Sequence, residues 1–139
     1  MLKRSYILNN SKEVKDCPFK HLSQEILAMI SIIKPQYSKS NGNVNYCVIK
    51  NSAEYHKYKT LTERLRCYDL RFLKEENYAL AFWINLYNAL IIDGIITLEI
   101  KKTVKKAPRF FSIIKYDIGG TKYTPNDIEY GTLGQTQNI

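Results

Sequence analysis

Apolar residues along this chain recur with a helical period in three stretches. In residues 21–33 and again in 52–68 they return at steps of three and four, which predicts two amphipathic helices, the first of them ended by Pro35. The third stretch follows the acidic residues Glu75 and Glu76, is apolar on nearly every side, and reaches about Asp93–Gly94, where glycine permits an end. The pattern therefore predicts three helices, with the longest one buried at the centre.

A period of two appears only near the C-terminal end. Ile114, Tyr116 and Ile118 alternate with polar residues, Gly119-Gly120 can form a two-residue turn, and Tyr123 falls on the returning strand. This pattern predicts an antiparallel β-hairpin.

The next residues have the order typical of a helix start. Thr124 is suited to the N-cap, Pro125 to the first position, and Asp127 lies three residues after the cap.

The remaining segments are less regular. Residues 41–43 predict a turn, followed by a short apolar stretch that could be extended, and residues 1–20 show no clear period. The fold class predicted is α+β, mainly helical, with one long buried central helix and a small antiparallel hairpin. We expect an irregular N-terminal arm (1–20), a single domain (21–133) and a flexible tail (134–139).

Composition supports one soluble globular domain. The chain has 139 residues, of which 45% are apolar and 24% charged, and its formal net charge is +8. The stretch Tyr78–Ile100 is long enough to span a membrane, but two asparagines, Asp93 and Gly94 fall inside it, which favours a buried soluble helix. The N-terminal apolar run is too short for a signal peptide. We therefore expect a cytoplasmic protein without a membrane partner.

The cysteines show no pattern of metal binding or disulfide pairing. Cys17, Cys47 and Cys67 are an odd set without C-x-x-C spacing, and His21 and His56 do not stand at ligand spacings from them. Free thiols in a reducing compartment are the simplest interpretation, so neither a metal nor a cofactor is expected.

Asn85 and Asn88 are the most unusual polar residues, because they interrupt the apolar stretch AFWINLYNAL (81–90). On a helix they lie about 60° apart, on one side. A buried amide without partners costs ~1–3 kcal/mol. The structural interpretation is that both side chains tie loop backbone, in the hairpin or at Thr124, to the central helix. The functional interpretation is that they line a pocket. Residue types favour the structural one.

Glu129 and Asp127 are candidates for acid–base chemistry, but at this spacing on a first helical turn their carboxylates point apart. Capping and the helix dipole explain them more simply. No nucleophile–base motif and no phosphate-binding loop occurs.

A basic run follows the central helix and precedes two phenylalanines. It could bind phosphates or a nucleic acid, although no known nucleic-acid-binding motif supports this. The candidate residues are Lys101, Lys102, Lys105, Lys106 and Arg109.

Four segments together resemble a known family. NGNVNY (41–46), AFWINLYN (81–88), GIITLEIKKTV (94–104) and FFSIIKYDIGGTKYTPNDIEY (110–130) stand in the order found in the bacterial and plant family called domain of unknown function 547. The resemblance covers about residues 41–133 and implies no established activity.

The chain departs from the family pattern at informative places. The family usually shows I-E-H followed by L-R, where this chain has Ile128-Glu129-Tyr130 and Leu133-Gly134, and it often has His where this chain has Asp93. The family also continues with a section containing Asp-Pro-Arg, His and Cys residues, which this chain does not reach. The resemblance thus implies a truncated or degenerate copy.

These observations leave three functional hypotheses. A non-catalytic interaction or scaffold domain leads, because loss of the C-terminal section would expose apolar surface that self-association or another chain could cover. The alternatives are an enzyme of hydrolase or transferase type, with a pocket lined by Asn85, Asn88 and Glu129, and a weak polyanion binder acting through Lys101–Arg109.

Overall fold

A helix of 23 residues forms the centre of the fold, as the apolar pattern predicts. The computed structural model describes residues 5–11, 21–37, 43–101 and 109–133. Within these ranges the α-helices are α1 (Leu22–Gln36), α2 (Tyr46–Asn51), α3 (Ala53–Glu63), α4 (Glu76–Leu98) and α5 (Phe110–Ile113). The 3₁₀ helices are Arg64–Cys67 and Leu70–Lys74, and a π-helix spans Asp127–Leu133. The strands are β1 (Tyr6–Ile7), β2 (Ile114–Ile118) and β3 (Thr121–Tyr123). The predicted mainly helical α+β class is confirmed, and the predicted domain limits stay a prediction.

The start of α4 is where the sequence predicts it, but its end is not. The Glu75 carboxylate caps the helix by accepting from the backbone N–H groups of Asn77 at 3.0 Å and Tyr78 at 2.7 Å. The predicted end near Gly94 is wrong, because the helix continues to Leu98 and stops only when Glu99 turns into the left-handed region. By length and composition α4 could cross a membrane; in this fold it packs against α1 and β2.

Two further helix predictions need correction. α1 runs through Pro35 to Gln36, because the proline ring fixes φ at about −65°, which a helix also adopts, so Pro35 costs the last turn one backbone hydrogen bond without ending it. The apolar stretch predicted as extended is the helix α2, since the Asn45 side chain accepts from the Val48 backbone N–H at 3.2 Å and thereby caps a helix start. The start of the helix predicted over 52–68 is confirmed, with Ser52 as its N-cap, but the α-helix ends at Glu63 and a 3₁₀ helix follows it.

The hairpin is confirmed, and it belongs to a larger sheet. β2 and β3 pair antiparallel with Tyr116 opposite Tyr123, and the turn glycines Gly119 and Gly120 both adopt positive φ. The sheet has a third strand, β1, which pairs parallel to β2. The prediction of an irregular N-terminal arm is therefore wrong for Tyr6–Ile7.

The start of the C-terminal helix also follows its sequence. The Thr124 hydroxyl accepts from the Asp127 N–H at 3.0 Å, and the Asp127 carboxylate accepts from the Thr124 N–H at 2.9 Å. This reciprocal capping box begins the π-helix, which packs against α4.

The core lies between α1, α4 and the sheet. Its fully buried apolar side chains include Leu22, Ile26, Ile30, Ile33, Phe82, Leu86, Leu90, Ile114, Tyr116 and Ile118. Gly94 lets α5 and β2 approach α4 closely, since a Cβ atom at this position would lie 2.4 Å from Ile114 Cδ1 and 3.0 Å from the Phe110 ring.

We predict that Gly94→Ala destabilises the protein by about 1–3 kcal/mol, because Ile114 and Phe110 are both buried and must shift to admit a methyl group. Urea unfolding followed by circular dichroism measures the change. Gly131→Ala is the matched control: a Cβ there meets nothing within 4 Å, so its free energy of unfolding should stay equal to wild type or rise. Equal stability of the two variants would show that the contact at Gly94 is not tight.

Candidate functional site

The three residues predicted to line a pocket lie on α4 and on the π-helix that packs against it. Asn85 is half-buried and donates from Nδ2 to the Ser23 hydroxyl of α1 at 3.3 Å. Asn88 is exposed. Glu129 is also exposed and accepts from the Tyr87 hydroxyl at 3.5 Å. Asn85 thus contacts a side chain of α1 and not the loop backbone that was expected, whereas Asn88 faces solvent.

Burial and the nearby Glu129 carboxylate raise the pKa of the Tyr87 hydroxyl above its ordinary value. Tyr87 therefore stays a neutral donor to Glu129 at physiological pH. Asp127, the other acidic candidate, is committed to the capping box. The two carboxylates thus act separately.

One stripe of the central helix is open to solvent. We call it the α4 stripe; it consists of Asn77, Ala81, Ile84 and Asn88, all exposed. These residues are spaced by four, three and four positions, so they lie along one side of the helix. Ile84 is 40% exposed, and Tyr130 of the neighbouring π-helix is 74% exposed. A core helix thus presents uncharged surface on its outer side.

The structure describes only part of the basic run and two of the three cysteines. Lys101 and Arg109 are exposed, and the predicted polyanion-binding residues Lys102, Lys105 and Lys106 lie outside the described residues. Cys47 is an exposed free thiol, Cys67 is exposed and donates to the Arg64 carbonyl at 3.6 Å, and Cys17 lies outside the described residues. In the ranges that the structure describes, no three His, Cys, Asp or Glu side chains form a group able to hold a metal ion.

A buried carboxylate on the inner side of α4 is the centre of a polar cluster. Asp93 is fully buried. Its Oδ1 accepts from the hydroxyls of Tyr55 at 2.6 Å and Thr97 at 3.3 Å. Its Oδ2 accepts from the Tyr116 hydroxyl at 2.7 Å and faces the Lys59 ammonium at 3.4 Å. Donors from α3, α4 and β2 therefore compensate one buried charge, as burial of a carboxylate requires.

The hydroxyl groups of Tyr58 and Tyr116 are hydrogen-bonded to each other next to Asp93. The Tyr116 hydroxyl donates a hydrogen bond to Asp93, so the Tyr58 hydroxyl is the donor in the hydrogen bond that joins the two tyrosines. Burial, followed by the negative charge of Asp93, raises the pKa of Tyr55, Tyr58 and Tyr116. The three phenols accordingly remain protonated donors in the folded protein.

The N-terminal segment, residues 5–11, closes over this cluster. The Lys59 ammonium donates to the Leu8 carbonyl, and the Leu8 N–H donates to the Lys115 carbonyl at 2.8 Å. Asn9 is fully buried, and its amide pairs with both backbone groups of Asp117, accepting from N–H at 2.8 Å and donating to C=O at 2.9 Å. An asparagine side chain thus continues the parallel pairing that β1 begins.

The Asp93 cluster was missed in the sequence. Its signal is an acid inside an otherwise apolar helix, which argues against a membrane span but does not by itself identify the partners of the carboxylate. Tyr55, Tyr58 and Tyr116 stand at positions where periodicity predicts core residues, so nothing local distinguishes them from ordinary core tyrosines.

Comparison with known proteins gives one match. The sequence model of the family described as "Protein of unknown function, DUF547" matches residues 70–139. No curated protein and no solved structure matches the chain. The matched range includes α4, the hairpin and the capping box, and it contains Asp93 and Tyr116 of the buried cluster.

We predict that the protein loses stability as the pH rises above 10, the ordinary pKa of tyrosine. The pKa values of the buried tyrosines are higher in the folded state, so the unfolded chain releases their protons first. Their contribution is therefore fully present below pH 10 and is lost as the pH approaches the folded pKa values. Urea unfolding at a series of alkaline pH values measures this effect.

Tyr58→Phe removes one of these groups. Above pH 10 the free energy of unfolding of this variant should therefore fall less steeply with pH than that of wild type, and the two slopes should differ by about 1.4 kcal/mol per pH unit. Tyr130→Phe, at an exposed position, serves as the control and should leave the slope unchanged. Equal slopes for Tyr58→Phe and wild type would contradict this account of the buried hydroxyls.

Proposed function

This chain belongs to the DUF547 family of proteins of unknown function, and from the geometry of its central helix we propose that it is a non-catalytic interaction domain that self-associates through the α4 stripe. The observation that carries the proposal is the exposure of Ala81 and Ile84 on a helix that is otherwise the centre of the core. Contiguous exposed apolar surface marks sites of protein–protein contact, and Ala81 and Ile84 lie one turn apart on the same side of α4.

The composition of the α4 stripe supports a protein partner. Its four residues carry no charge, although the chain as a whole has a net charge of +8. The centres of protein interfaces are depleted of charged residues and enriched in tyrosine. Tyr130, the most exposed large hydrophobic residue of the described chain, projects from the adjacent π-helix. An uncharged helix side flanked by an exposed tyrosine meets this description.

The order of residues along the stripe favours a second copy of the chain. Read in either direction the stripe is polar, apolar, apolar, polar, with the same spacing. When two α4 helices pack antiparallel about a two-fold axis between Ala81 and Ile84, Ala81 meets the partner's Ile84. The same arrangement brings Asn77 opposite the partner's Asn88.

Each of these pairs is favourable. A small alanine opposite a larger isoleucine allows close packing of two helices. Two asparagine amides, each with donors and an acceptor, can hydrogen-bond to each other. A two-fold interface requires a self-complementary surface, and this stripe provides one.

The two alternative functions remain predictions. For an enzyme, the described contacts of Asn85 and Glu129 are single hydrogen bonds, to the Ser23 hydroxyl and from Tyr87. For a polyanion binder, three of the five basic candidates lie outside the described residues. The α4 stripe is the better-supported site.

We predict that the wild-type protein sediments as a dimer at micromolar concentration and that Ile84→Glu sediments as a monomer, because a charge at the centre of the interface would lose its hydration. Sedimentation velocity measures both. Ile32→Glu is the matched control: Ile32 is 65% exposed on α1, outside the stripe, and its substitution should leave the dimer intact. A wild-type protein that is a clean monomer and binds no hydrophobic dye would overturn the proposal.

Charge variants within the same experiment test the antiparallel register. The double variant Asn77→Glu/Asn88→Glu places like charges opposite each other and should dissociate. Asn77→Lys/Asn88→Glu brings each lysine next to a glutamate of the partner, so this variant should still dimerise. In a parallel arrangement the second variant would instead bring lysine against lysine, so its dissociation would exclude the register proposed.

A further inference from the structure

A cleft lies beside the Asp93 cluster, between the N-terminal segment and the helices α3 and α4. Its walls are residues 5–8, Asn10, Ser11, Lys59 and Thr97, and its volume is about 440 Å³. This volume is within the range of about 300–1,000 Å³ found for small-molecule sites. Ile7 and Leu8 make part of the wall apolar, and Ser5, Asn10 and Thr97 supply polar groups.

Lys59 gives this cleft its only charge among the described residues that line it. An ammonium group has three N–H donors. One goes to the Leu8 carbonyl, and a second faces Asp93 at 3.4 Å. That separation is long for an ammonium–carboxylate hydrogen bond, which is usually about 2.7–2.9 Å. The Lys59 side chain keeps 19% of its surface exposed, so it has donor capacity left for a ligand.

Asp93 does not take up all the N–H donors of Lys59, because other donors already hydrogen-bond to the Asp93 carboxylate. The hydroxyls of Tyr55 and Tyr116 bind its two oxygens at 2.6 and 2.7 Å, and the Thr97 hydroxyl adds a third contact. The buried carboxylate and the Leu8 carbonyl thus hold the ammonium at the edge of the cleft.

From this geometry we propose that the cleft binds a small organic oxyanion, a carboxylate or a phosphate ester with a short apolar body. The oxyanion accepts a hydrogen bond from the Lys59 ammonium, and the apolar body lies against Ile7 and Leu8. The whole-chain charge of +8 attracts such anions to the surface. This site is separate from the α4 stripe, and it does not depend on self-association.

Amide NMR titrations of the full chain test this proposal with three probes: hexanoate, hexanol and inorganic phosphate. Hexanoate should shift the amide signals of residues 5–11 and Thr97, and phosphate should shift a smaller set next to Lys59. Hexanol, which has the same apolar body without charge, should bind at least about tenfold more weakly than hexanoate. Equal binding of hexanoate and hexanol would overturn the proposal.

Substitutions on α3 complete the experiment. Lys59→Met should weaken hexanoate binding at least about tenfold, and Lys59→Arg should retain most of it. Lys57→Met is the matched control, since Lys57 lies on the same helix but lines a different cleft, with Met29 and Arg64. An equal loss in Lys57→Met would show non-specific attraction and overturn the proposal. If Lys59→Met does not fold, the wild-type map decides: shifts at Lys57 and Arg64 in place of residues 5–11 would also overturn it.

Discussion

The fold depends on the placement of one carboxylate inside an apolar helix. Asp93 lies near the end of α4, fully buried, where an unpaired charge would cost more free energy than a small domain can provide. Its compensation requires donors from three different elements: Tyr55 and Lys59 from α3, Thr97 from α4 and Tyr116 from β2. Since those donors must converge on two oxygens, they fix how α3 and the sheet pack against α4.

The same requirement orders the N-terminal segment. Lys59 reaches both Asp93 and the Leu8 carbonyl, so the charge pair holds residues 5–11 beside the sheet. Asn9 then pairs with the backbone of Asp117. On a helical wheel, Asp93 stands about 150° from the middle of the α4 stripe. One helix therefore organises a polar cluster and a cleft on its inner side and presents an uncharged surface on its outer side.

Features set by neighbouring residues could be predicted from the sequence. The hairpin needs two glycines at positive φ, and the Thr124–Asp127 capping box needs only residues three positions apart, so both were found. The caps at Ser52 and Asp69 are of the same kind. The central position of α4 followed from its apolar composition alone.

Features set by distant residues could not be predicted. α4 continues through Gly94 because Phe110 and Ile114 pack onto the glycine, which the helical pattern does not show. The strand β1 consists of two residues and depends on a partner more than 100 positions away, as Asn9 and Asp117 illustrate. The tyrosines that bind Asp93 come from positions 23 and 38 residues away, so the cluster exists only in the folded chain.

The most direct test of this account is the stability of Asp93→Asn at neutral pH, measured by urea unfolding together with hydrogen exchange. The amide keeps the shape of the side chain but removes its charge, so we expect a loss of about 3 kcal/mol and faster exchange at the Leu8 amide. Asp69→Asn, which changes an exposed pair with Arg71, should leave the free energy of unfolding close to that of wild type. If Asp93→Asn is as stable as Asp69→Asn and Leu8 remains protected, the buried carboxylate does not organise the fold.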